Sequence, residues 1–130
     1  MTQEDKALLL KDLCARLPYD TVCQVEFKSD GRYESKNMIL SGIFKDEAYF
    51  TIENGSVYSN DYKPYLFPFS SITEEQKMFL KQQNWCITIS TSGTVETTIE
   101  GINWLNKNHF DYRGLIEKGL AIDATGLNIY

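Results

Sequence analysis

One histidine, three cysteines and a scatter of carboxylates make up the residues through which this chain would do acid–base, nucleophilic or metal chemistry. His109 is the one side chain whose ordinary titration range suits general acid–base catalysis at neutral pH. A Cys–His dyad needs Cys14, Cys23 or Cys86 brought to it by the fold. None of the three sits at an exposed helix N-terminus, where a thiol is activated: Cys14 lies on a Leu-rich helical stretch, Cys23 and Cys86 in alternating strand patterns. Their odd number, wide spacing and lack of a CxxC pair indicate neither a disulfide framework nor a zinc knuckle, so buried reduced thiols are expected. Asp46 with Glu47, and Glu74 with Glu75, are adjacent in sequence and do not face one site as a catalytic pair does. His109 and Asp111 supply two metal ligands with no third nearby. Phosphate loops, dinucleotide fingerprints and nucleophile elbows are missing from the sequence. The reading is a non-enzymatic chain with no cofactor and no metal.

A binding surface is the sharper expectation. His109, Phe110, Tyr112 and Arg113 fall together at a helix–helix junction, and aromatic residues with Arg are enriched at the centres of protein interfaces. The aromatic segment 62–69, which holds Tyr62, Tyr65 and Phe67 and is broken by two prolines, is the alternative interface. The partner expected is a protein, of unidentified kind. A nucleic-acid role competes with it, because small barrels hold single strands on aromatic platforms and Tyr33, Tyr49, Phe50, Tyr58 and Tyr62 would supply one. A net charge of −5, with 13 basic residues scattered along the chain, disfavours phosphate neutralisation. A cryptic hydrolase ranks third, because its residues do not converge.

These residues need elements to position them. Thr2 and Asp5 form a capping box ahead of an amphipathic helix in which Leu9, Leu10, Leu13 and Leu17 recur at helical spacing, with Lys6, Lys11, Asp12 and Arg16 assigned to the polar face and Pro18 as the stop. Residues 21–28 alternate, placing Cys23, Val25 and Phe27 on one side of a strand that turns at Ser29-Asp30-Gly31. Strands at 37–44 and 48–53 are joined through Lys45-Asp46-Glu47 and closed by Asn54-Gly55. The prolines make segment 62–69 extended or a sheet edge. Capping boxes at Ser71 and Thr73 start a helix reaching about 83 that presents Met78 and Phe79 to the core. A strand from Trp85 through Ile87 and Ile89 then turns through Thr91-Ser92-Gly93, pairing Ile89 with Val95. A helix over 98–107 buries Ile99, Ile102 and Leu105, and Asp111 caps a second short helix with Leu115 and Ile116 inward and Gly119 at its end.

The fold expected is α+β: a small curved antiparallel sheet or open barrel, flanked by an N-terminal helix and a C-terminal helical hairpin. At 130 residues and 42% hydrophobic, the chain fits one domain over 1–130. No apolar run approaches the roughly 18 residues of a membrane span and the N-terminus lacks a signal-peptide pattern, so a soluble cytoplasmic protein is expected. Three stretches carry a resemblance: Cys14-Ala15-Arg16-Leu17-Pro18-Tyr19; Lys63-Pro64-Tyr65-Leu66 with Pro68, Ser70-Ser71 and Thr73-Glu74-Glu75; and residues 104–121. In these the chain resembles a set of small proteins encoded by gut bacteria and their integrated phages. The resemblance implies a bacterial or phage origin and brings no activity, cofactor or site residue with it.

Overall fold

The computed structural model describes residues 2–52, 55–85, 87–89 and 95–130. Asn54, Cys86 and the expected loop 91–93 lie outside the described residues. Helix α1 (Gln3–Arg16) begins at the Thr2–Asp5 capping box and ends in a tight turn, Leu17–Tyr19, where Pro18 stops it. Then come β1 (Val22–Ser29), β2 (Arg32–Phe44), β3 (Glu47–Ile52), β4 (Gly55–Ser59) and β5 (Asp61–Pro68). Asp30 and Gly31 both take positive φ, as do Lys45 and Asp46, so each links its strands as a two-residue hairpin turn with the twist the sheet requires.

The sheet runs β4-β3-β2-β1-β5, antiparallel throughout. It curls until the Ser59 hydroxyl, at the end of β4, donates to the Glu26 carbonyl of β1 at 2.6 Å, yet it does not close. On its concave side Leu9 and Leu13 of α1 meet Cys23, Val25, Met38, Leu40, Phe50, Tyr62 and Leu66. The segment 62–69 is extended as expected, but it is no sheet edge: β5 continues past β1 into parallel pairings with β8 (Phe110–Asp111) and β9 (Ile122–Asp123), which makes the sheet mixed.

The second layer is helical. The Thr73–Gln76 capping box starts α2 (Glu74–Gln82); Ser71 instead donates to the Pro68 carbonyl in a short turn. The short ladder β6 (Thr88–Ile89) with β7 (Val95–Glu96) pairs Ile89 with Val95, the register expected. Thr98 caps α3 (Ile99–Lys107), whose Leu105 is fully buried beside Phe110 and Tyr112. Three expectations about faces fail. Met78 (62% exposed) and Phe79 point outward and α2 buries only Leu80, because Phe79 leans on Trp85 and Trp104 at the surface. Ile99 is 79% exposed, standing at the first position of α3, a turn ahead of the buried stripe. On α1 the buried stripe is Leu9, Asp12, Leu13 and Arg16, so two charges assigned to solvent lie in the interior.

The helical hairpin holds in its first arm only. In place of a second helix, residues 112–121 form a chain of turns in which Gly114 and Gly119 have positive φ and reverse the backbone before a helix can propagate. The Asp111 carboxylate accepts from the N–H groups of Arg113, Leu115 and Ile116 at 2.9–3.2 Å, so it organises this segment without a helix to cap. Leu115 and Leu120 still enter the core. No helix among the described residues is long and apolar enough to cross a membrane.

Candidate functional site

The residues singled out at the junction come together, but mostly below the surface. Tyr62, Tyr65, His109, Phe110 and Tyr112 are each less than a tenth exposed. Phe67 is partly buried, and the Arg113 side chain keeps 21% of its surface. Tyr112 and Arg113 belong to a buried network not expected from residue patterns, since Asp12 and Arg16 read as solvated. Arg16 Nε donates to Asp12 at 2.7 Å, Arg16 Nη2 to the same carboxylate at 3.2 Å and to the Phe110 carbonyl at 2.6 Å, and Arg113 Nε reaches Asp12 at 3.2 Å. Both guanidinium groups lie against Tyr112, 5.2 and 5.0 Å from its ring centre, and its hydroxyl donates to Asn106. Asp12 and Arg16 are both fully buried, so each is held by the other's charge and by bonds to the C-terminal segment. This network clamps α1 onto residues 106–113.

Beside it lies an open groove of about 590 Å³ between the start of α2, the end of α3 and the segment 125–130. His109, Phe110 and Phe67, three of the expected interface residues, line it together with Tyr130. His109 takes φ +61° directly after the α3 cap, which turns the chain into β8. Its ring is stacked on Tyr130 at 3.6 Å and 9°. The Tyr130 hydroxyl in turn donates to the Tyr65 carbonyl and accepts from the Val22 N–H, so the tail is tied to β1 and β5. Burial, reinforced by the Arg16 charge, lowers the His109 pKa to about 4; Asp20 opposes this only in part. The imidazole is therefore neutral at physiological pH and a weak base.

Of the other candidates, Cys14 is exposed on α1, against the expectation of a buried thiol, because it falls outside the Leu9–Leu13 stripe, while Cys23 and Asp111 are engaged. Burial first, and then the Asp12 charge, push the Cys23 thiol far above its ordinary range. Both Asp111 oxygens hold backbone N–H groups and are not free to join His109 on a metal. Among the described residues no three His, Cys, Asp or Glu side chains converge as a metal site. One carboxylate pair was missed: Glu26 and Asp61 are register partners on β1 and β5, and a hydrogen bond shared with Asp61 raises the Glu26 pKa. They stand 35 positions apart, so only the strand pairing reveals them.

The convex face of the sheet leaves several large hydrophobic side chains open. Tyr33 is 83% exposed, Phe44 62%, Tyr58 43% and Ile39 42%, and the Tyr58 ring meets Tyr49 across the β3–β4 ladder at 5.9 Å. Strand alternation explains this, since Met38, Leu40 and Phe50 point to the core while their neighbours in the chain point out. Phe50 and Tyr62, two members of the expected single-strand platform, are on the concave side; Tyr33, Tyr49 and Tyr58 are on the convex side. The chain matches no model of a known protein family, no curated protein and no solved structure.

Proposed function

We propose that this chain is a non-enzymatic, protein-binding accessory of a bacterial prophage or mobile element, acting in the cytoplasm, with its interface on the convex face of the sheet. The observation that carries the reading is that Ile39, Phe44 and Tyr58 share one unburied face beside β4, the free edge, with Tyr33 exposed on the same face toward the far end of β2. Large aromatic side chains with little rotamer freedom are the residues that dominate binding energy at protein interfaces. The side chains with catalytic potential support a non-enzymatic role: His109 is held neutral and stacked, Cys23 is buried, and the Asp111 carboxylate is bound by backbone N–H groups. The prophage origin rests on the sequence resemblance alone.

The interface of the sequence reading moves accordingly. Tyr112 and Arg113 hold α1 in place, while the convex face is free to meet a partner. Affinity capture from a bacterial host with the native chain and with a Tyr33→Ser/Tyr58→Ser variant tests this. A protein recovered by the native chain and lost by the variant is expected, the two having melting temperatures within a few degrees. Retention of the partner by the variant, or steeply salt-dependent binding to single-stranded DNA or RNA on this face, would overturn the reading.

A further inference from the structure

The groove at the end of α3 has features that an interface built on Ile39, Phe44 and Tyr58 does not use. Its floor is aromatic: Phe67 lies between Phe110 and Tyr130, with ring centres 6.1 and 5.9 Å away. Tyr130 has one face on His109 and is still 45% exposed, so the residue keeps surface on which a ligand ring can pack. The rim is polar, with Thr73 and Gln76 from the start of α2 and Lys107 and Asn108 from the end of α3. Gln76 uses its carbonyl oxygen on the Thr73 N–H, so its amide donors remain available. The volume of about 590 Å³ falls within the range of small-molecule sites.

The side-chain charge nearest the groove is mainly positive, Arg16 acting on His109 more strongly than the opposing Asp20. Among the described residues Lys107 is the only one lining the groove with a charged side chain, although the chain carries 18 acidic residues. Behind His109 lies Arg16, whose Nη1 is fully buried and has no hydrogen-bond partner. His109 itself, 8% exposed, has a buried Nδ1 with no partner either. Buried polar atoms without a partner are rare in folded proteins. A neutral imidazole can carry its proton on either nitrogen, so His109 can donate to an anion without itself becoming charged.

We propose that the groove bounded by Phe67, Lys107, His109 and Tyr130 binds a small planar aromatic acid, its ring against Tyr130 and its anionic group at Lys107 and the His109 edge. None of the groove-lining residues belongs to the proposed protein interface, so the outcome of this test leaves the protein-binding reading untouched.

Three probes that share one ring and differ in charge test it: indole-3-acetate, tryptophol and tryptamine, titrated while the aromatic resonances of His109, Phe67 and Tyr130 are followed by NMR. The expected result is saturable shifts at these three residues, with indole-3-acetate binding about 5-fold more tightly than tryptophol, as one partly exposed ion pair supplies, and tryptamine binding more weakly than both. Lys107 is exposed, so Lys107→Met should fold normally. It should bring indole-3-acetate to within about 2-fold of tryptophol while leaving tryptophol unchanged. Absence of saturable shifts with all three probes at about 10 mM overturns the proposal, since that excludes even a weak site. So does tryptamine binding as tightly as indole-3-acetate, or an indole-3-acetate advantage that survives Lys107→Met.

Discussion

Protonation of His109 should be a measurable liability of the fold. In the unfolded chain the imidazole takes a proton near its ordinary 6.5, while in the folded chain it does so only near about 4. Below pH 6.5 the unfolded state therefore binds more protons than the folded state. The stability that depends on neutral His109 is intact above that pH and is lost as the pH falls through about 4. At about 1.36 kcal/mol for each tenfold change in proton affinity, the full effect has a ceiling of about 3.4 kcal/mol, of which about 2 kcal/mol falls between about pH 7 and about pH 5. One edge of the ring reaches the groove, and solvent screening there reduces the expected loss over that interval to about 1 to 2 kcal/mol. The control variant is His109→Asn, because Asn tolerates the left-handed backbone at this position and does not titrate. Urea unfolding followed by the fluorescence of Trp85 and Trp104 at the two pH values, for both proteins, gives the difference directly. The variant will be less stable at neutral pH through loss of the Tyr130 stack, but its stability should fall less on acidification. Equal acid-induced losses in the two proteins would refute the reasoning, as would a His109 resonance in the folded protein titrating near 6.5.

Further outcomes follow from the buried network and the turns. Asp12→Ala should cost about 3 to 5 kcal/mol in chemical unfolding, because it strands Arg16 in the interior; adding Arg16→Met should recover part of that loss, and a larger loss in the double variant would count against a charge-based account. Asp111→Ala should cost about 2 to 3 kcal/mol and increase amide exchange at Arg113, Leu115 and Ile116, whereas unchanged protection would show that the segment holds without its carboxylate. Leu66→Ala, at a fully buried position on β5, should cost about 2 to 5 kcal/mol, and a near-neutral result would remove β5 from the centre of the core.

Some features of this protein were legible in its residues, and they are the short-range ones. The capping boxes at Thr2–Asp5 and Thr73–Gln76 and the Asp30-Gly31 turn involve groups no more than three or four positions apart, so residue type alone largely decides them. The alternation of Cys23, Val25 and Phe27 likewise marked the buried face of β1, and with it the α+β class. What remained hidden depends on distant partners. Asp12 and Arg16 look like a solvated pair until Phe110, Tyr112 and Arg113 arrive from almost a hundred residues away to complete their hydrogen bonds; only then does burial cost less than exposure. Segment 112–121 looked helical because its capping and apolar residues have helical spacing, but the β5–β8 pairing and the positive φ of Gly114 set its direction first. The groove exists only because Tyr130 crosses to β1 and β5 and lies on His109. Its site is thus a product of chain topology, in which desolvation and charge act between residues that no local pattern connects.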